Sequence, residues 1–151
     1  MPSELRNSRQ SSFPPYPQLP TTYIYPVPNT DVILNFTAQK ETFDPDRSET
    51  EVRDVLAQAF VDNIRHTDRQ AVIPPEMVEY IGGGNVFMEL HPYNSEGGQA
   101  GLTWEICLQA LNGVASFAHA YPGLYFGFYI YLSRVGPREN FIGGGALISF
   151  F

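Results

Sequence analysis

One cysteine, Cys107, and one lysine, Lys40, are all that the 151-residue chain holds of either type, and each scarcity closes off a class of protein. A lone thiol rules out an internal disulfide framework, and among apolar neighbours it reads as a small core hydrophobe. Lysine and arginine together number 9 against 16 acidic residues, for a formal net charge of −7. Nucleic acid and anionic membrane surfaces are held by clustered basic side chains, so neither is an expected partner. The three histidines, His66, His91 and His119, lack ligand spacing, and no acidic cluster joins them. No metal and no other cofactor is therefore expected. Serine-nucleophile and phosphate-loop patterns are also missing, since neither a lysine nor a helix start follows Gly82-Gly83-Gly84.

Two further absences bear on location. The residues MPSELRNSRQSS lack the apolar stretch of a secretory signal, which makes the cytoplasm the expected compartment. No acidic or basic residue occurs from Ile106 to Ser133. Pro122-Gly123 cuts that run, its second half has strand periodicity, and Gln109, Asn112, Ser116 and His119 interrupt the first. A membrane span is therefore not expected.

The run itself dominates what is present. Thr103 is a plausible N-cap, with Glu105 in the first turn where the helix dipole favours negative charge. Trp104, Leu108, Leu111, Ala115 and Ala118 recur at spacings of three and four, and Ile106, Ala110, Val114 and Phe117 widen that face. Pro122 and Gly123 end the helix. A strict alternation follows. Leu124, Phe126, Phe128, Ile130 and Leu132 fall on one strand face, and Tyr125, Gly127, Tyr129, Tyr131 and Ser133 on the other.

Upstream, residues 1–20 read as a disordered, proline-containing tail, and 21–151 as a single domain. Pro14, Pro17 and Pro20 have the spacing of a polyproline II ligand, although a plain flexible tail accounts for them as well. Thr21 to Val27 is extended, with Pro26 and Pro28 confining it to a sheet edge. Val32, Leu34 and Phe36 alternate with Ile33, Asn35 and Thr37 as a second strand. A helix is expected over residues 48–66, capped by the Ser48 and Glu51 pair, with Val52, Val55, Leu56, Ala59, Phe60 and Ile64 as its apolar stripe. Residues 77–81 and 86–91 form a hairpin around Gly82-Gly83-Gly84-Asn85, and Phe141 to Phe151 is a last strand whose three glycines mark a bulge or twist.

These elements predict an α+β fold: a mainly antiparallel sheet of four or five strands with two helices packed on one face. Pro28-Asn29-Thr30-Asp31, Leu102-Thr103-Trp104 with Leu111, and Gly144 to Leu147 give the chain a resemblance to a group of small, mostly uncharacterised α+β proteins of filamentous fungi. The resemblance spans about residues 26–150 and implies the fold without implying an activity. Genes of such proteins can lie in secondary-metabolite clusters, so it also implies an accessory role in such a pathway. Many of these proteins look secreted, and the missing signal is a departure from them.

The sheet face away from the helices would carry Tyr125, Tyr129, Tyr131, Phe87, Ile33, Asn35, Glu89 and His91. That is a large aromatic area to leave in water. Two functions are expected from it. In one, a non-catalytic binding protein uses the aromatic face for an apolar small molecule, a protein partner or a second copy of itself. In the other, Glu89 and His91 carry proton transfer in a metal-independent cyclase or isomerase. A third possibility is that residues from Phe13 to Tyr25 fold back and simply cover the face.

Overall fold

In the computed structural model of the protein, the described residues are 13–14, 20–41, 45–74, 78–81, 86–93, 101–133 and 141–149. Eight elements follow in order: β1 (Tyr23–Pro26), β2 (Val32–Glu41), α1 (Pro45–Arg65), β3 (Val78–Ile81), β4 (Val86–Pro92), α2 (Trp104–Ala120), β5 (Leu124–Leu132) and β6 (Phe141–Ser149). They build one antiparallel sheet in the order β1-β2-β5-β6-β4-β3. The final hairpin inserts between the first two, which makes β5 and β6 the central strands. That position explains why β5 has no charged residue, since both its edges and one of its faces are covered. The α+β class and the two helices on one face agree with the sequence. The sheet has six strands instead of four or five, because the proline-bounded β1 pairs fully with β2.

Both edge strands are four residues long, and β1 ends on Pro26, so little unpaired edge is presented. Asn29 takes a left-handed φ of 62° in the turn that joins β1 to β2, a conformation Asn tolerates better than most residues. Helix α1 starts at Pro45, one turn earlier than the sequence suggests. Proline suits a first helical turn, where its missing N–H has no intrahelical partner. Ser48 therefore lies inside the helix and is not its N-cap. The expected tip at Gly82 to Asn85 lies outside the described residues, as does Pro17 of the proline pattern.

The core lies between the helices and the face bearing Leu34, Phe36, Met88, Leu90, Phe126, Phe128 and Ile130, all of which are buried. Thr103 caps α2 as expected, its hydroxyl accepting from the Ile106 amide at 3.1 Å. The buried stripe of α2 runs through Cys107, Ala110, Leu111, Val114, Phe117 and Ala118, rotated slightly from the expected one. Phe117 stacks on Phe36 with ring centres 3.8 Å apart, and Phe126 meets both rings edge-on. Trp104 is half-buried and stacks at 3.5 Å on His66, which follows α1, instead of facing the sheet. Gly113 brings α2 close to β2, for a Cβ there would lie 2.5 Å from the Leu34 side chain. Ile64 is exposed and does not belong to the α1 stripe.

Polar groups under α1 are tied to each other. Asp62 accepts a 2.6 Å bond from the Tyr80 hydroxyl, and burial together with that bond pushes the Tyr80 phenol well above its ordinary range. Cys107 is fully buried beside Asn63, and burial pushes its thiol up to about 12. That thiol is structural, since a reactive cysteine is accessible and holds its proton weakly.

Among the described residues ahead of β1, Phe13 and Pro14 lie against the domain. The Phe13 ring lies 4.7 Å from Tyr25 and about 6 Å from Tyr23, Phe117 and Tyr121. The Tyr121 hydroxyl donates to the Pro14 carbonyl. Tyr23 and Tyr25 pair with Phe36 and Leu34, which places them on the helix side of the sheet. Phe13 thus extends the core and does not cover the tyrosine face.

Candidate functional site: the helix-free sheet face

Strand register decides which side chains meet on the open face. Ile24, Asn35, Tyr129, Gly144 and His91 stand opposite one another in one row across five strands. The next row holds Thr37, Gly127, Ala146 and Glu89. On the far side of the first row lie Ile33, Tyr131 and Phe141. The centre of the face is therefore glycine and alanine, with larger side chains around it.

These small residues have a steric cause. A Cβ on Gly144 would sit 2.8 Å from the Phe128 carbonyl oxygen and 3.3 Å from the Tyr129 ring. A Cβ on Gly127 would sit 3.3 Å from the Thr37 hydroxyl. The neighbouring glycines serve the opposite face: Cβ atoms at Gly143 and Gly145 would press on Leu102 and on the Phe128 ring. The glycine run so lets the core pack below, while Gly144 on the open face is buried against the Tyr129 ring.

A hollow of about 410 Å³ lies over this floor, bordered by Thr37, His91, Tyr93, Tyr129 and Phe141. Its size falls within the range of small-molecule sites. Phe141 is the hub of the aromatic wall, with ring centres 5.2 Å from Tyr93, 5.6 Å from Tyr131 and 5.9 Å from Tyr129. A bulge places it there. The pairing of β5 with β6 shifts between Ile130 and Tyr131, so Ile142 turns into the core and Phe141 turns onto the open face. Sequence alternation alone would have put Phe141 on the other side. The bulge falls at Ile142, next to the three glycines to which the sequence assigned a bulge or twist.

Each expected site residue has a definite place. Tyr129 is 45% exposed despite being on a central strand, and Tyr131 and Ile33 are half-buried beside it. Glu89 and His91 meet, with His91 Nε2 3.2 Å from Glu89 Oε2, and His91 borders the hollow. Asn35 shares the Tyr129 row, and its buried side-chain oxygen has no hydrogen-bond partner. Phe87 pairs with Ile148, and Tyr125 with Lys40, away from the hollow. Neither borders it among the described residues. Ile24, 63% exposed on the same face, was not anticipated, and neither were Tyr93 or Phe141, whereas Thr37 shares the expected strand face of Ile33 and Asn35. Tyr93 follows β4 and Phe141 begins β6, so both sit at element boundaries where periodicity carries no signal.

Among the described residues no group of three or more histidine, cysteine, aspartate or glutamate side chains could hold a metal ion. No helix of the described residues is long and apolar enough to cross a membrane. A second hollow, of about 340 Å³, lies between the helices against Leu56, Phe60, Ala115, Ala118 and Tyr121. Comparison with protein-family models, curated proteins and solved structures gives no match for this chain.

Proposed function

We propose that this protein is a binding protein whose helix-free sheet face takes an apolar small molecule in the hollow over Gly127, Gly144 and Ala146. The observation that carries the reading is the arrangement of that face: a glycine and alanine floor ringed by Tyr93, Tyr129 and Phe141, with no helix above it among the described residues. Aromatic side chains left in water on a central strand cost solubility, and packing on the helices does not require them. Tyrosine gives a ligand a large contact area with few rotors to freeze. An accessory role in a secondary-metabolite pathway is compatible with such a site and rests on the fungal resemblance alone.

The test is the double variant Tyr129→Ser, Tyr131→Ser. Retained helix and sheet signals with lost binding of apolar probes support the reading. Unfolding of the variant would mean that the face is core and would overturn it. Loss of a dimer, with no probe bound by the parent chain, would assign the face to self-association.

A second reading is favoured by the Glu89–His91 contact at 3.2 Å beside the hollow. A carboxylate that holds an imidazole in place is the arrangement of a general base, and a metal-independent isomerase or cyclase would use it so. Glu89→Gln separates the two readings: a proton-transfer enzyme loses turnover with its fold intact, whereas a binding protein loses only part of its affinity.

A further inference from the structure

We infer that the ligand class of this hollow is a planar, uncharged hydroxyarene, a phenol or naphthol, whose hydroxyl donates to His91. The inference deepens the small-molecule reading above and rests on it. Three features select the class. Gly127, Gly144 and Ala146 give a flat floor, and the Tyr129 ring lies 3.3 Å from where a Gly144 side chain would begin. Flat rings can lie on such a floor against the rings of Tyr129, Tyr93 and Phe141, where aromatic pairs gain beyond the area they bury.

The second feature is charge. Among the described residues no arginine or lysine borders the hollow, and Glu89 stands behind His91 in a chain of net charge −7. The Glu89 carboxylate disfavours a carboxylate or phosphate ligand beside His91. The third is hydrogen-bond direction. When His91 Nε2–H donates to Glu89 Oε2, the neutral ring keeps its Nδ1 lone pair as an acceptor. An acceptor selects a ligand O–H over an ether or a ketone. Thr37, on the border beside Gly127, offers a hydroxyl for a second substituent.

The experiment is calorimetric titration of the full chain with naphthol, methoxynaphthalene and decahydronaphthol at neutral pH, repeated on His91→Phe. The substitution keeps a ring and removes the acceptor. Naphthol should bind about tenfold tighter than either analogue, the value of one well-made hydrogen bond in a partly dry site. In His91→Phe its affinity should fall to that of methoxynaphthalene, which itself should hardly change. Equal binding of naphthol and methoxynaphthalene by the parent chain would overturn the hydroxyl assignment and leave the small-molecule reading standing. Equal binding of naphthol and decahydronaphthol would overturn planarity in the same way. Binding of none of the three would overturn the inference, and the tyrosine double variant then decides the wider reading. Should His91→Phe fail to fold, the three-probe series on the parent chain still decides.

Discussion

Removing the Phe13 ring should cost stability even though it lies in a segment whose composition reads as disordered. Its ring touches four aromatic side chains, with centres between 4.7 and 6.0 Å away. Phe→Ala in a closed core costs about 3–5 kcal/mol. Phe13 is only half-buried, and water can enter the space it leaves, so about half of that, roughly 1.5–2.5 kcal/mol, applies. Release of the anchored chain returns about 1 kcal/mol of conformational entropy. The net loss is about 0.5–1.5 kcal/mol, equivalent to about 1–6 °C in Tm for a chain of this size. Calorimetric melting of Phe13→Ala, with Phe13→Leu as a control that keeps most of the apolar contact, measures it. Tyr121→Phe, which removes the hydroxyl that donates to Pro14, should lose about 1 kcal/mol. The two losses should add to less than their sum, because both release the same anchor. A Phe13→Ala melt within 1 °C of the parent would show that the ring is not seated, and the account of the N-terminal anchor would fail.

Other outcomes follow from the core. Leu111→Ala, at a fully buried position under the sheet, should cost about 2–5 kcal/mol in denaturant titration. Gly145→Ala should destabilise far more than Gly127→Ala, since its Cβ would stand 2.2 Å from the Glu89 carbonyl oxygen. The nearest neighbour of a Gly127 Cβ is the Thr37 hydroxyl, at 3.3 Å, with main-chain oxygens no closer than 3.6 Å. In alkali, burial raises the thiol of Cys107 from 9.0 to about 12 and the phenol of Tyr121 from 10.0 to about 12, and raises Tyr80 as well. Above pH 9 the unfolded chain releases these protons first, so it binds fewer than the fold does and stability falls as pH rises. Chemical denaturation should therefore show no pH dependence from these groups below about pH 9 and a progressive loss of stability from pH 9 towards 12.

Periodicity was enough to locate both helices, to separate the two faces of β5 and to place Glu89 and His91 on one side of β4, because these depend on local spacing. Three features were not legible, and each depends on something periodicity does not encode. Phe141 reaches the open face through a bulge, which shifts alternation by one residue. Phe13 owes its place to long-range aromatic contacts, whereas its neighbours have the composition of a disordered tail. The start of α1 at Pro45 was hidden because the Asp-Pro-Asp sequence also makes a turn. The hollow itself follows from strand order. Only when β6 lies between β5 and β4 do Tyr129 and His91 flank Gly144.

The claim that the helix-free face binds is tested most directly by mapping backbone amide shifts while naphthol is added to the isotope-labelled protein. The account predicts that the amides of Thr37, His91, Gly127, Tyr129, Gly144 and Ala146 move along one saturable curve, while those of Leu56, Ala115 and Ala118 hold still. Shifts confined to the hollow between the helices would contradict it.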